Sequence, residues 1–236
     1  RTYVEPRPVS FRDYADYVFG GEPVREGIET LGRAYEDAET AAGIAGADAV
    51  QVRPLTLDAS GAARVEVRDL PPVETSAVLT AELEYPDANG EILSTTSRVQ
   101  LYGAALTLGI RREGWVGTAE QLRFRVVALD LAGKPLARQR VVANLYQSQQ
   151  YSYRKRLVGG FYAYESMRET TKLPVTCEGM TDSRGLLACE VALGASGQVQ
   201  IRAETRDAEG RLAGATTSAW VVGADDWWFG GTTGDR

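Results

Sequence analysis

Two cysteines, a handful of carboxylates and one aromatic, basic segment are the residues of this chain whose types and spacing could do chemistry. Histidine is absent altogether. That excludes Ser-His-Asp and Cys-His catalysis and any histidine-ligated metal. Cys177 and Cys189 are the only cysteines, too few for a four-thiolate zinc site, which leaves a disulfide or two free thiols. The turn at 182–185 lies between them, so they are expected on facing arms of a hairpin, where a bridge is geometrically feasible. A bridge there would imply an oxidising compartment. Glu113, Glu165, Glu178 and Glu190 are scattered, and nothing in the sequence pairs two of them for acid–base work. Asp225 and Asp226 are adjacent, so in an extended chain they point to opposite faces and do not share a metal unaided. Catalysis has no visible seat, and the expectation is a protein that is not an enzyme and carries no cofactor or metal.

The segment 151–164 interleaves Tyr151, Tyr153, Tyr162, Tyr164 and Phe161 with Arg154, Lys155 and Arg156. Such a pattern can stack single-stranded nucleic acid, offer a protease target, or line a sugar or peptide groove. It can equally be a long hairpin with cross-strand tyrosine pairs, bent at Gly159-Gly160. A net charge of -6 with both signs interspersed disfavours nucleic acid and gives no direct attraction to an anionic membrane. The cluster around Trp220, Trp227 and Trp228 reads as packing at a domain end that steers the linker to the next domain.

These residues must be positioned by strands. At 236 residues and 44% hydrophobic the chain can build two cores. No run of eighteen apolar residues and no signal-peptide pattern is present. The chain starts at Arg1 without methionine, so it is expected to be a segment of a longer protein. Aromatics at 11, 14, 17 and 19 before Gly20-Gly21 suggest a strand over 12–19, and 34–49 reads as a loop. Alternation predicts a hairpin from 51–57 and 63–68, then strands over 77–85, 92–101, 106–110, 122–129 and 138–146.

Asp followed three residues later by Gly recurs at Asp58/Gly61, Asp87/Gly90, Asp130/Gly133, Asp182/Gly185 and Asp207/Gly210. Asp can cap the turn through its side chain and Gly accepts the positive φ, so each copy predicts a hairpin. A longer phrase, 85–103, is similar to 206–223 about 120 residues later. The reading is an all-β chain of two tandem antiparallel β-sandwiches, 1–104 and 105–236. The second carries the long hairpin and the cysteines and ends in a linker.

The residues at 129–135, 151–165, 177–179, 181–189 and 220–229 together resemble the large bacterial alpha-2-macroglobulins. The likeness is to their macroglobulin-like domains preceding the bait-region domain. It is specific over 106–236 and looser over 1–103, where it rests on 11–27 and 55–72. The resemblance implies a structural segment of an endopeptidase inhibitor that traps proteases. In that family a protease cuts a bait segment, the sandwiches rearrange, and the enzyme is caged or captured through a Cys-Glu thioester. It also implies a periplasmic parent, often anchored to the inner membrane, with neighbouring domains and attacking proteases as partners. Neither Cys177-Glu-Gly-Met180 nor Cys189-Glu-Val-Ala192 matches the thioester motif, and no bait insert is evident, although Arg154-Lys155-Arg156 would suit a trypsin-like enzyme. The competing reading is a tandem Ig-like adhesin or carbohydrate-binding module that uses the tyrosine hairpin and the tryptophans.

Overall fold

The computed structural model describes residues 1–33, 51–114, 116–156 and 162–223. The architecture is all-β, with no α-helix among the described residues. Among the described residues pairing is antiparallel except between the strands Val116–Thr118 and Leu212–Val222, and three sheets result.

The first sheet has the order β1 (Thr2–Pro6), β4 (Ala77–Pro86), β5 (Ile92–Leu101). The other two form a sandwich. One of its sheets runs β3 (Gly27–Arg33), β10 (Tyr162–Met180), β9 (Arg140–Arg156), β12 (Gly197–Arg206), β13 (Leu212–Val222), β7 (Val116–Thr118). Its partner runs β11 (Leu186–Val191), β8 (Leu122–Asp130), β6 (Leu106–Arg112), β2 (Val18–Phe19). Between them lies one apolar core, in which Leu108, Ile110, Phe124 and Val126 of one sheet meet Val141, Leu145, Val199 and Ile201 of the other. These core residues alternate along their strands, as the period of a strand requires.

The pairing does not follow the sequence. β1 joins β4, while β2 and β3, also from the first 33 residues, join the sandwich built by 106–222. The chain therefore passes from sheet to sandwich, back to the sheet and again to the sandwich, across the expected division at 104/105.

The expected strand over 12–19 is not formed. Instead a 3-10 turn, Arg12–Tyr14, leads to the two-residue β2. The physical reason is the spacing: Phe11, Tyr14 and Tyr17 are three apart, which a 3-10 turn stacks on one side and a strand would split between two faces. Phe19 is buried against Val127 and Leu129, with Val9, Phe11, Tyr14 and Tyr17 around it. Phe11 meets Phe19 edge-on at 4.8 Å between centroids. Strand β8 is thus covered on both faces, Val126 by the sandwich core and Val127 by this aromatic cap. Gly109 makes room for it, since a Cβ there would fall 2.6 Å from the Phe19 ring.

All five Asp…Gly turns form. In each, the Asp Oδ1 accepts backbone N–H groups two and four residues on, as Asp87 does from Asn89 (2.8 Å) and Glu91 (2.9 Å). The five glycines have φ between 73° and 86°. Only Asp87 and Asp207 join strands that pair with one another, β4–β5 and β12–β13. Asp130 and Asp182 carry the chain between the two sheets of the sandwich. The arms beside Asp58, expected as paired strands, lie antiparallel without a ladder. Side chains reach across instead, Gln51 to the Arg68 carbonyl and Arg53 to that of Glu66, both at 3.0 Å.

Candidate functional site

Cys177 and Cys189 are disulfide-bonded. The expected hairpin arms are corrected: β10 and β11 diverge at the Asp182 corner into different sheets, so the bond staples one sheet of the sandwich to the other. Cys189 is buried in the core, and Cys177 packs against it.

The structure brings two of the four scattered glutamates to one place. Glu113 and Glu190 line a shallow hollow with Arg123 and Arg125. Each carboxylate has its own guanidinium: Glu113 with Arg125 at 2.6 Å, Glu190 with Arg123 at 3.1 Å. Gln121 and Arg123 hold the Glu190 carboxyl below the ordinary range. A carboxylate held ionised in this way, as Glu190 is, is poorly suited to proton transfer. Glu178 pairs with Arg140 at 3.5 Å, and Glu165 accepts the Tyr153 hydroxyl. Among the described residues, no cluster of three or more acidic or cysteine side chains could hold a metal.

The tyrosine segment is a ladder. Tyr151 lies opposite Met167, Tyr153 opposite Glu165, and Arg154, Lys155 and Arg156 opposite Tyr164, Ala163 and Tyr162. Strand β12 accompanies β9 only as far as Ser148, so 149–156 have β10 on one side and no strand on the other among the described residues. The Tyr151 hydroxyl donates to Glu169 at 3.0 Å, and this bond is the main reason its pKa is raised; Glu165 acts likewise on Tyr153. Both phenols are nearly half-exposed, and Tyr164 more so. The side chains of Lys155, Arg156 and Tyr162, and all of Phe161, Trp227 and Trp228, lie outside the described residues. Trp220, on β13, is 57% exposed.

Sequence reasoning missed two features. One is a cleft of about 320 Å³ between the 51–68 arms and the first sheet, lined by Leu55, Leu57, Val65, Val67, Ala81 and Leu83. The alternation of the arms signalled their apolar side, though not that they would lie unladdered. The other is the joint between sheet and sandwich, where Arg202 is buried with only 3% of its side chain exposed. On an alternating strand Arg202 reads as an ordinary outward residue; no local signal marks it.

No family model matches the chain, and no curated protein matches it. Solved structures do. Salmonella alpha-2-macroglobulin reacted with methylamine aligns over 94% of this chain at 11% identity with a TM-score of 0.65. The native conformation of E. coli alpha-2-macroglobulin aligns equally well, also at 0.65, 11% and 94%. The E. coli protein activated by porcine elastase gives 0.61, 13% and 93%. At such identities the likeness is one of fold, and the chain spans 14%, 13% and 18% of the respective chains.

Proposed function

We propose that this chain is a macroglobulin-like segment of a bacterial alpha-2-macroglobulin-type endopeptidase inhibitor, and that it holds neighbouring bait and capture domains in place rather than performing chemistry. The observation that carries this reading is the fold likeness, which runs over 94% of the chain and takes in both the three-stranded sheet and the sandwich. An isolated sandwich module would align over one unit. The stapled sheets and the arginine-neutralised carboxylates agree with a rigid part that has no active site. The parent would be periplasmic, consistent with the disulfide. The exposed Trp220 ring is the surface we assign to packing against a neighbouring domain.

The test compares this segment and the full parent chain as inhibitors of porcine elastase acting on a protein substrate. The parent is expected to protect the substrate, and the segment alone to leave elastase activity unchanged. Inhibition by the segment alone, or none by the parent, would overturn the reading.

A further inference from the structure

The chain enters and leaves the first sheet at one place. Arg7 and Ser76 bind each other there, Arg7 N–H to the Ser76 carbonyl at 3.0 Å and Ser76 Oγ to the Arg7 carbonyl at 2.6 Å. Gly103 lies so close to Val73 that a Cβ would sit 1.6 Å from its carbonyl oxygen. Beside this meeting point runs β13, whose Gly214 N–H donates to the Glu74 carbonyl (2.9 Å) and whose Thr216 N–H donates to that of Gly20 (2.7 Å). Under it lies the Arg202 guanidinium, in space left by Gly214, where a Cβ would fall 2.6 Å from Nη2.

A guanidinium carries a fixed positive charge, and a buried charge is tolerated only when paired. Its Nη2 donates to Glu74 at 2.9 Å, Nε to Glu204 at 3.0 Å and Nη1 to the Thr216 hydroxyl at 3.3 Å. The two carboxylates differ in origin. Glu204 belongs to the same strand as Arg202, so it travels with the sandwich. Glu74 belongs to the segment entering β4, is 47% exposed, and can be rehydrated by rotation alone.

We infer that Arg202 and Glu74 form a releasable pin that sets the angle of the first sheet on the sandwich. When Glu74 swings into water, Glu204 stays paired with the guanidinium through Nε and Thr216 keeps Nη1, so opening does not leave the buried charge without a counter-charge. The joint therefore has two states in which the charge is paired. Closed, it is held by the Arg202–Glu74 ion pair and the Gly214–Glu74 backbone bond. Open, the sheet is tethered by its chain crossings alone. This inference stands on the joint itself and is independent of the protease-trap reading.

Glu74→Gln tests it in the whole chain, with Arg202 and Glu204 left in place. Hydrogen exchange at the Gly214 amide, which bonds across the joint to the Glu74 carbonyl, should accelerate on the order of tenfold, the scale of one charge-assisted bond. The Ile201 and Ala203 amides, inside the sandwich, should keep their wild-type rates. High salt should accelerate Gly214 in the wild type and have little further effect in the variant. Spin labels at Ser94→Cys and Ser183→Cys, both exposed, should show a broadened distance distribution in Glu74→Gln. Unchanged exchange at Gly214, acceleration shared equally by Ile201 and Ala203, or an unaltered distance distribution would overturn the inference.

Discussion

Removing the Cys177–Cys189 bond should cost this fold more than any single exposed ion pair. The residues are 12 apart in sequence. Constraining a loop of that size in the unfolded chain is worth about 3 kcal/mol in the chain-entropy treatment. Cys189 is buried in the core, so Cys→Ala also leaves a small void, adding up to about 1 kcal/mol. Cys177→Ala and Cys189→Ala should each cost nearly as much as the double substitution, because either one breaks the same bond. Equilibrium urea unfolding of wild type, wild type with reductant, both single variants and the double variant measures this. With slopes of roughly 1–3 kcal/mol per molar urea, the midpoint should fall by ~1 M or more. Reductant should shift the wild type and leave the double variant unmoved. A loss below about 1 kcal/mol in both the reduced wild type and the double variant would refute the claim that the bond staples the two sheets.

Phe19→Ala should destabilise the sandwich by about 3–5 kcal/mol, read by thermal or urea unfolding, since the ring is fully buried over Gly109 and β8. Gly109→Ala should cost ~1–3 kcal/mol by forcing that ring outward. Gly103→Ala should be destabilising as well, because the added Cβ runs into the Val73 backbone, and hydrogen exchange should localise the damage to the joint. Asp207 predicts a pH effect. Burial raises its pKa, but the Ala105 N–H, the Arg211 guanidinium and the Arg211 N–H outweigh it and hold the carboxyl at about 2, against an ordinary 3.8. A depressed carboxyl contributes stability that is complete above pH ~4 and lost as pH falls towards 2. Asp207→Asn should therefore flatten the stability profile between those values, measured as unfolding midpoint against pH.

The parts of the fold legible in the sequence were those decided locally. An Asp whose side chain caps a turn and a Gly three residues later that takes positive φ make a complete instruction, and all five copies obey it. What the instruction omits is whether the next strand returns to its neighbour or crosses to the other sheet. That depends on which face of each strand the rest of the chain buries, and Asp130 and Asp182 cross for this reason. The aromatic run at 11–19 misled because alternation was read into residues spaced by three. The run Val126-Val127-Ala128-Leu129 is apolar on both faces, and the second cover it receives is those same aromatics. For the candidate site, a bond between the two cysteines and a paired segment over 151–164 were legible. The expected cross-strand tyrosine pairs are not formed among the described residues, since Tyr151 lies opposite Met167, Tyr153 opposite Glu165, and Tyr162 and Tyr164 opposite Arg156 and Arg154. The pin at Arg202 was not, because its partner Glu74 lies more than a hundred residues away along the chain.

The most direct test of this account is a proton NMR contact map around Phe19 in the intact chain. If the first 33 residues close the sandwich built by 106–222, the Phe19 ring protons will show strong contacts to the Gly109 α-protons, and those α-protons will be displaced upfield by the ring. Phe19 resonances at positions typical of unstructured chain, with no contact to Gly109, would contradict the interleaved fold on which the rest depends.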